Sequence, residues 1–230
     1  MRMRPLIRGI FLVVGAVYLV LSLPLVLLLL RSEYFRIATA SEVTRKLSHL
    51  RPMEVVFCGD SITATITDWG GRLGLRPFSV LNLGIPGLYV GQVRDQVQRA
   101  LLLHTGRIVV MAGTNDLRDP RRTDEAIIED WETILQLKAG SDPPRLIVVS
   151  IPLQGDSRLD ERTHALNRQL AVAAERARWE FLDLNARFAA ANGPRSNLFT
   201  DGVHFSESAY RLWIEELARI VKVPVGRVPE

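Results

Sequence analysis

The sequence predicts an α/β domain in which a parallel β-sheet is covered by helices on both faces. Two observations carry this prediction: short apolar segments rich in β-branched residues recur along the chain, and longer segments of helical character separate them. Strands that alternate with helices form βαβ units, whose parallel strands are buried on both faces. The five predicted strands are Glu54–Cys58, Phe78–Leu83, Arg107–Ala112, Arg145–Ile151 and Glu180–Leu184.

Four helices are predicted between and after these strands, because apolar residues recur there at helical spacing. In the first helix Val90, Val93 and Val97 share one face. The third begins after Asp156–Ser157 and the fourth at Ser206, which are favourable N-cap residues. The predicted helices are Val90–Leu103, Asp124–Leu137, Leu159–Arg178 and Ser206–Val221.

An apolar run precedes this domain. Residues 9–30 contain no charged side chain, and a helix of that length spans about 33 Å, enough to cross the hydrocarbon core of a bilayer. We therefore predict a membrane anchor at residues 1–31, with a transmembrane helix at about 9–30, and a linker or stalk at 32–52. The alternative is secretion after signal cleavage near Ala38–Ala40, although the apolar run is longer than the usual core of a signal peptide.

The net charge of +4 belongs to the predicted anchor. The chain has 29 basic and 25 acidic residues, and residues 1–31 hold four arginines and no acidic residue, which leaves 25 of each sign elsewhere. A neutral body argues against a nucleic-acid-binding protein, which carries a basic patch or stripe. The positive-inside rule favours a single-pass protein with its N-terminus in the cytoplasm and the following domain on the periplasmic or extracellular side.

The rest of the chain is predicted to form one domain at residues 53–222 and a loose tail at 223–230. This length suits one hydrophobic core, whereas two domains would be cramped. Cys58 is the only cysteine of the chain, which excludes an internal disulfide and a cysteine-rich zinc site. The sequence does not predict an oligomeric state.

Polar and glycine-containing segments follow the predicted strands at their carboxyl ends. These segments are Gly59–Ser61, Asn82–Gly87, Gly113–Asp116 and Asp201–His204, in chain order. In an open parallel sheet, ligands bind beyond the carboxyl ends of the strands. Each short motif alone is common by chance, but the ordered set predicts one functional site at this edge.

The residue types in these segments are those of nucleophilic catalysis. A hydroxyl such as that of Ser61 becomes a good nucleophile when a base such as His204 removes its proton. Asp201 lies three residues before His204, so one turn brings the two side chains together and fixes the imidazole tautomer. A backbone N–H at Gly84, the Asn115 amide and the N–H of Ser61 are candidate donors to a tetrahedral oxyanion.

At these residues the chain resembles the SGNH (GDSL-type) hydrolase family. The family's four blocks occur in order, with Ser61 in GDS, Gly84 in NLGIPG, Asn115 in GTND and His204 in DGVH. The resemblance covers essentially the whole body of the chain and implies a three-layer α/β/α fold with a flavodoxin-like sheet. It also implies a Ser61–His204–Asp201 triad, an oxyanion hole of Ser61, Gly84 and Asn115, and no metal or organic cofactor.

Several neighbouring residues have alternative interpretations. Trp69, Leu88 and Tyr89 follow the serine and glycine segments and are predicted either to line a substrate pocket or to pack in the interior. Asp60 and Asp116 are interpreted as hydrogen-bond acceptors that brace loops rather than as a second acid pair.

Other chemically reactive or aromatic side chains are assigned structural positions. Cys58 ends an apolar strand and is predicted to be a small buried hydrophobic residue rather than a nucleophile. His49, His104 and His164 have no companion motif and are predicted to lie at the surface or its boundary. Trp131 and Trp213 fit apolar helical stripes and are predicted to be in the core.

The leading functional hypothesis is hydrolysis of carboxylic esters of small molecules, lipids or glycans through an acyl-serine intermediate. Acyl transfer to a sugar hydroxyl requires the same residues and stays open. A non-catalytic binding module on the same fold is disfavoured by the complete set of site residues. A metallophosphoesterase is disfavoured because four scattered histidines do not form a ligand set, and an α/β-hydrolase because Gly59–Thr63 lacks the second glycine of a G-x-S-x-G elbow.

Overall fold

The computed structural model describes residues 52–76, 78–137, 143–191 and 193–221. The predicted anchor, the stalk up to residue 51, His49 and the predicted tail lie outside the described residues. Among the helices that the structure describes, none combines the length and the apolar character needed to cross a bilayer.

Five parallel strands form the central sheet of the described chain. They are β1 Val55–Gly59, β2 Val80–Asn82, β3 Arg107–Met111, β4 Arg145–Val149 and β5 Glu180–Leu182. Their order across the sheet is β2-β1-β3-β4-β5, which is the flavodoxin-like order that the family resemblance implies. The sheet prediction is therefore confirmed, although β2 and β5 are shorter than predicted, because each is an edge strand that pairs with one neighbour only.

Eight α-helices connect and flank the described strands. They are α1 Ser61–Thr65, α2 Trp69–Leu73, α3 Val90–Leu101, α4 Thr114–Arg118, α5 Asp124–Leu135, α6 Asp160–Ala177, α7 Leu184–Ala189 and α8 Glu207–Val221. The four long helices match the four predicted ones to within two residues at each end. Helices α2, α4 and α7 were not predicted, because five or six residues are too few to establish a helical period.

Two hydrophobic cores lie on opposite faces of the sheet and make the domain a three-layer α/β/α structure. Along β1, Val56 and Cys58 point to the core under α3, α5 and α6, whereas Val55 and Phe57 point to the core under α1, α2, α7 and α8. Trp131 in the first core and Trp213 in the second are fully buried, as their helical stripes predict. With both faces covered, the carboxyl edge of the sheet is left for the polar loops.

Candidate active site

The serine of the candidate site begins α1, directly after β1. Asp60 precedes it and caps the helix, because its Oδ1 accepts a hydrogen bond from the Ile62 N–H at 2.9 Å. Gly59 is required at the end of the strand, since a Cβ there would lie 2.3 Å from the Met111 carbonyl oxygen. This close approach of two backbones fixes where Ser61 emerges from the sheet.

Gln96 of α3 fixes the same end of β1 through two hydrogen bonds. Its buried side chain accepts a hydrogen bond from the Gly59 N–H at 2.6 Å and donates one to the Gly59 carbonyl oxygen at 3.1 Å. Both backbone groups of Gly59 are thereby satisfied by one side chain of α3. Gln96 was not predicted as a site residue, and its polar side chain within the apolar stripe of α3 is the sequence signal that points to it.

The structure brings Ser61, His204 and Asp201 into one hydrogen-bonded chain. Ser61 Oγ lies 3.0 Å from His204 Nε2 across 143 residues of sequence, and His204 Nδ1 lies 2.7 Å from Asp201 Oδ2. The tautomer with hydrogen on Nδ1 leaves Nε2 free to accept the serine proton. The arrangement is that of a nucleophile, a base and a group that orients the base.

Asp201 also fixes the turn that carries the histidine. Its Oδ1 accepts hydrogen bonds from the backbone N–H groups of Val203 at 3.0 Å and His204 at 2.8 Å. The hydrogen bond from the His204 ring, followed by these two backbone donors, holds the pKa of Asp201 well below its usual range. The carboxylate is therefore ionised at neutral pH, and it is available to stabilise an imidazolium.

Three predicted oxyanion donors lie in different local environments. The Ser61 N–H is at the first position of α1, where helix geometry provides no internal partner. Asn115 uses one amide hydrogen to bond the Leu88 carbonyl oxygen at 2.9 Å and has a second available. The Gly84 N–H donates to Asn82 Oδ1 at 2.9 Å, so it is already engaged within its own loop.

Gly84 has a packing role that the sequence analysis did not assign. A Cβ at this position would lie 2.7 Å from the Ala64 nitrogen and 3.0 Å from the Ala64 Cα. The glycine therefore lets the loop after β2 lie against α1 and hold that short helix in place. This is a backbone contact, which a side chain at residue 84 cannot relieve by changing rotamer.

Gly87 is the second glycine of the same loop, and its surroundings differ. Its φ is +81°, and a Cβ there would meet nothing within 4 Å. The next residue, Leu88, is the one whose carbonyl binds Asn115. The loop after β2 therefore lies beside the Asn115 amide at Leu88, directly after Gly87. The sequence signal that could have pointed to Gly87 is that it is the second glycine of the NLGIPG segment.

Asp60 and Asp116 brace loops, as predicted. Asp116 is fully buried, accepts a hydrogen bond from the Val90 N–H at 3.0 Å and one from Arg122 Nε at 3.1 Å, and so ties α4 to the start of α3. Burial raises the pKa of Asp116, an effect opposed by the Val90 N–H and Arg122. Burial likewise raises the pKa of Asp60 to about 6.

The predicted pocket residues separate into two groups. Trp69 is 1% exposed, stacks on Phe57 with ring centroids 4.1 Å apart and lies edge-on to Trp213. The pocket-lining alternative for Trp69 is wrong, because α2 directs this side chain into the core. Leu88 and Tyr89 are half-buried in the loop beside Asn115, where the Tyr89 hydroxyl donates to Asp119 Oδ2 at 3.1 Å.

The remaining candidates take no part in this chain of hydrogen bonds. Cys58 is fully buried, and burial raises the pKa of its thiol well above the usual range, so it is not a nucleophile in the folded protein. His104 and His164 are exposed. Within the described part of the chain, no three His, Cys, Asp or Glu side chains are grouped to hold a metal ion.

A sheet in flavodoxin-like order that presents a hydrogen-bonded Ser, His and Asp at its carboxyl edge defines a serine hydrolase. The chain belongs to the GDSL-like lipase/acylhydrolase family, whose model matches residues 57–212. The resemblance to SGNH (GDSL-type) hydrolases is thus confirmed, and the protein is an ester-hydrolysing enzyme. A comparison with curated proteins found no match.

Solved structures of the same family share the fold. A lipase/acylhydrolase from Enterococcus faecalis is 23% identical, with a TM-score of 0.63 over 76% of this chain and 100% of that one. A GDSL-like lipase from Bacteroides thetaiotaomicron is 15% identical, with a TM-score of 0.64 over 79% and 97%. An acetylxylan esterase from Geobacillus stearothermophilus is 17% identical, with a TM-score of 0.61 over 77% and 97%.

Proposed function

We propose that the protein is a membrane-tethered serine esterase that hydrolyses acyl or acetyl esters through an acyl-serine intermediate. The observation that carries the proposal is the continuous hydrogen-bonded chain from Ser61 Oγ through His204 to Asp201. Without His204 at 3.0 Å the hydroxyl of Ser61 is a weak nucleophile at neutral pH. Membrane tethering rests on the uncharged run at residues 9–30.

In the first half of the reaction, Ser61 Oγ attacks the ester carbonyl carbon while His204 Nε2 takes the hydroxyl proton. Asp201 stabilises the resulting imidazolium through Nδ1. The tetrahedral intermediate then collapses, the bond to the alkoxy oxygen breaks, and His204 returns its proton to the leaving alcohol. The acyl group is left on Ser61.

In the second half, water takes the place of the alcohol. His204 removes a proton from the water as its oxygen attacks the acyl carbon, and the second tetrahedral intermediate releases a carboxylic acid and restores the Ser61 hydroxyl. The side chains of His204 and Asp201 are 40% and 54% exposed, so the base is open to water. A sugar hydroxyl at the same place gives acyl transfer, which product analysis with and without a glycan acceptor separates from hydrolysis.

The oxyanion hole proposed for both intermediates combines the Ser61 N–H, the second amide hydrogen of Asn115 and a backbone N–H from the loop after β2. The sequence assigns this third donor to Gly84. The Gly84 N–H already bonds Asn82, and Leu88, the residue after Gly87, bonds Asn115. We therefore favour the N–H of Gly87. Backbone donors are preorganised and cost little reorganisation during the reaction.

The neighbouring structures support an ester substrate without choosing one. The acetylxylan esterase acts on an acetylated glycan, as its name states, and the other two structures are called lipases or acylhydrolases. An enzyme held at a membrane with its domain outside the cytoplasm meets both lipid esters and acylated envelope glycans. We therefore propose these two classes as the substrates to screen, over a range of acyl lengths.

The decisive experiment is Ser61→Ala in the purified protein, assayed with 4-nitrophenyl acetate. We expect kcat to fall by about 10³-fold or more, because the substitution removes the attacking atom, and labelling by a fluorophosphonate probe to disappear. Thr65→Ala is the matched control: Thr65 places another exposed hydroxyl on α1, bonded to the Ser61 carbonyl oxygen at 2.8 Å. Equal hydrolysis by wild type and Ser61→Ala would disprove the catalytic assignment.

A further inference from the structure

Helix α4 carries a second polar side chain on the face that carries Asn115. Arg118 lies three residues after Asn115, so the two side chains are neighbours on one side of the helix. Arg118 is exposed at the carboxyl edge of the sheet. It is therefore a permanent positive charge one helical turn from a proposed oxyanion donor.

Buried contacts fix where the guanidinium lies. Arg118 Nη1 donates to Gln154 Oε1 at 3.1 Å, and Gln154 is fully buried in the loop after β4. The following residue, Gly155, donates its N–H to the Gly202 carbonyl oxygen at 2.7 Å. Gly202 stands between Asp201 and His204 in sequence. Arg118 thus lies between Asn115 on one side and the turn that holds His204 on the other.

Arg118 differs from the neighbouring arginines because they form salt bridges with aspartates and it does not. Each of five other arginines in the loops and helix starts near this edge is matched by an aspartate: Arg121 by Asp119, Arg122 by Asp116 and Asp130, Arg158 by Asp156, Arg162 by Asp124, and Arg195 by Asp160. Among the described residues Arg118 makes no salt bridge with a carboxylate, and its side chain hydrogen-bonds the neutral Gln154.

Asp156 is the carboxylate on which the charge of Arg118 acts, since that charge contributes to lowering the pKa of Asp156. Asp156 accepts its hydrogen bonds from Arg158, at 2.9 Å and 2.8 Å, so one carboxylate faces two arginines and a net positive charge is left. Asp201 is likewise committed to His204 and to two backbone N–H groups. A cation that has no salt bridge, is held by a buried amide and lies one helical turn from Asn115 is suited to binding a ligand anion.

We propose that Arg118 is a specificity-determining residue that binds an anionic oxygen group, carboxylate or phosphate, carried by the ester substrate next to the scissile bond. The proposal rests on the esterase function proposed above and adds the charge of the substrate to it. Arg118 does not touch the reacting atoms. Its contribution is to hold the anionic group of the substrate, and it acts on binding of the substrate more than on the chemical step.

The test uses the full chain in detergent and two pairs of matched esters. The first pair compares 4-nitrophenyl valerate with 4-nitrophenyl hydrogen glutarate, which differ in a terminal methyl or carboxylate. The second compares 1-acetylglycerol with 1-acetylglycerol 3-phosphate. We expect Arg118→Gln to lower the anionic-to-neutral ratio of kcat/KM by about tenfold, mainly through KM, in at least one pair. The pair that responds identifies the anionic group.

Two controls separate charge recognition from general effects. Arg121→Gln removes the same charge three residues away, from an arginine already paired with Asp119, and we expect it to leave the ratio unchanged. Arg118→Lys keeps the charge without the guanidinium fork, so we expect it to retain part of the preference. We also expect the wild-type preference to weaken in 0.5 M NaCl, because the site is exposed.

The outcomes distinguish this inference from the esterase function. An unchanged ratio in both pairs, or an equal loss on neutral and anionic esters, overturns the role of Arg118 while the neutral esters are still hydrolysed. Equal hydrolysis of the neutral esters by wild type and Ser61→Ala overturns the esterase function itself.

Discussion

The carboxyl of Asp60 offers a direct test of the electrostatics beneath the candidate site. Its side chain is 1% exposed, and one oxygen accepts the Ile62 N–H at 2.9 Å. The other oxygen has no hydrogen-bond partner among the described residues. An ionised carboxylate in this position is poorly solvated, and the neutral acid is favoured.

The size of the effect on stability follows from the shift in the pKa of the Asp60 carboxyl. Burial raises the pKa of Asp60 from 3.8 to about 6, against the opposing effects of the Ile62 N–H and the charge of His204. Between these two pH values the folded state binds the proton that the unfolded state has lost. The free energy of unfolding therefore falls as pH rises from about 4 to about 6, by about 3 kcal/mol at about 1.4 kcal/mol per pH unit.

Asp60→Asn removes this dependence, because the amide is neutral at every pH and keeps an oxygen for the Ile62 N–H. We expect the variant to gain up to about 3 kcal/mol of unfolding free energy relative to wild type between pH 4 and pH 8. The measurement is urea denaturation of both proteins at pH 4, 6 and 8. Asp68→Asn is the control, since Asp68 caps α2 by accepting the Gly71 N–H at 2.8 Å but lies in solvent.

Comparing the variant with wild type at each pH cancels the titration of groups that do not interact with Asp60. A difference in unfolding free energy between Asp60→Asn and wild type that stays constant from pH 4 to pH 8 would show that folding does not shift the pKa of Asp60. A stability gain of the variant that shrinks as the pH rises would contradict the raised pKa as well. That result would mean that Asp60 is more easily ionised in the folded protein than in the unfolded chain.

Two further substitutions test the loop brace and the oxyanion hole. Arg122→Met leaves the fully buried Asp116 carboxylate without its cation, and we expect a loss of about 3–5 kcal/mol in urea denaturation. Arg121→Met removes an exposed pair, and we expect it to leave the urea denaturation curve nearly unchanged. Asn115→Ala removes one proposed oxyanion donor, and we expect kcat for 4-nitrophenyl acetate to fall by about 10²–10³-fold with little change in KM. An unchanged kcat would exclude Asn115 from the oxyanion hole.

The order of strands and long helices was predictable because the sequence patterns that indicate them are local. Strands such as Arg107–Met111 are continuous apolar runs, and helices such as Val90–Leu101 repeat apolar residues at helical spacing. The short helices were not predictable in this way. Helix α4 has five residues, fewer than two turns, and its helical form depends on the packing of the loop after β3.

The candidate site was predictable in its residue types but not in all of its roles. Ser61 and Asn115 directly follow predicted strands, so the parallel topology directs them to one edge of the sheet, and His204 comes after the fifth strand and a loop. The roles of Trp69 and Gly84 depended on packing. From the sequence, Trp69 could line a pocket or pack in the core. The direction of α2 decides between the two, because it places Trp69 against Phe57.

By itself the sequence determined the class of fold, the edge of the sheet that carries chemistry, and the serine, histidine and aspartate that lie there. The fold class, the edge and the site residues depend on residue type and chain order, and both can be seen directly in the sequence. Only the tertiary structure decided that Gly84 packs against α1, that Gln96 bonds Gly59, and that Arg118 bonds the buried Gln154. Those facts depend on distances between residues far apart in the chain, which are set by how helices pack on the sheet and not by any local pattern.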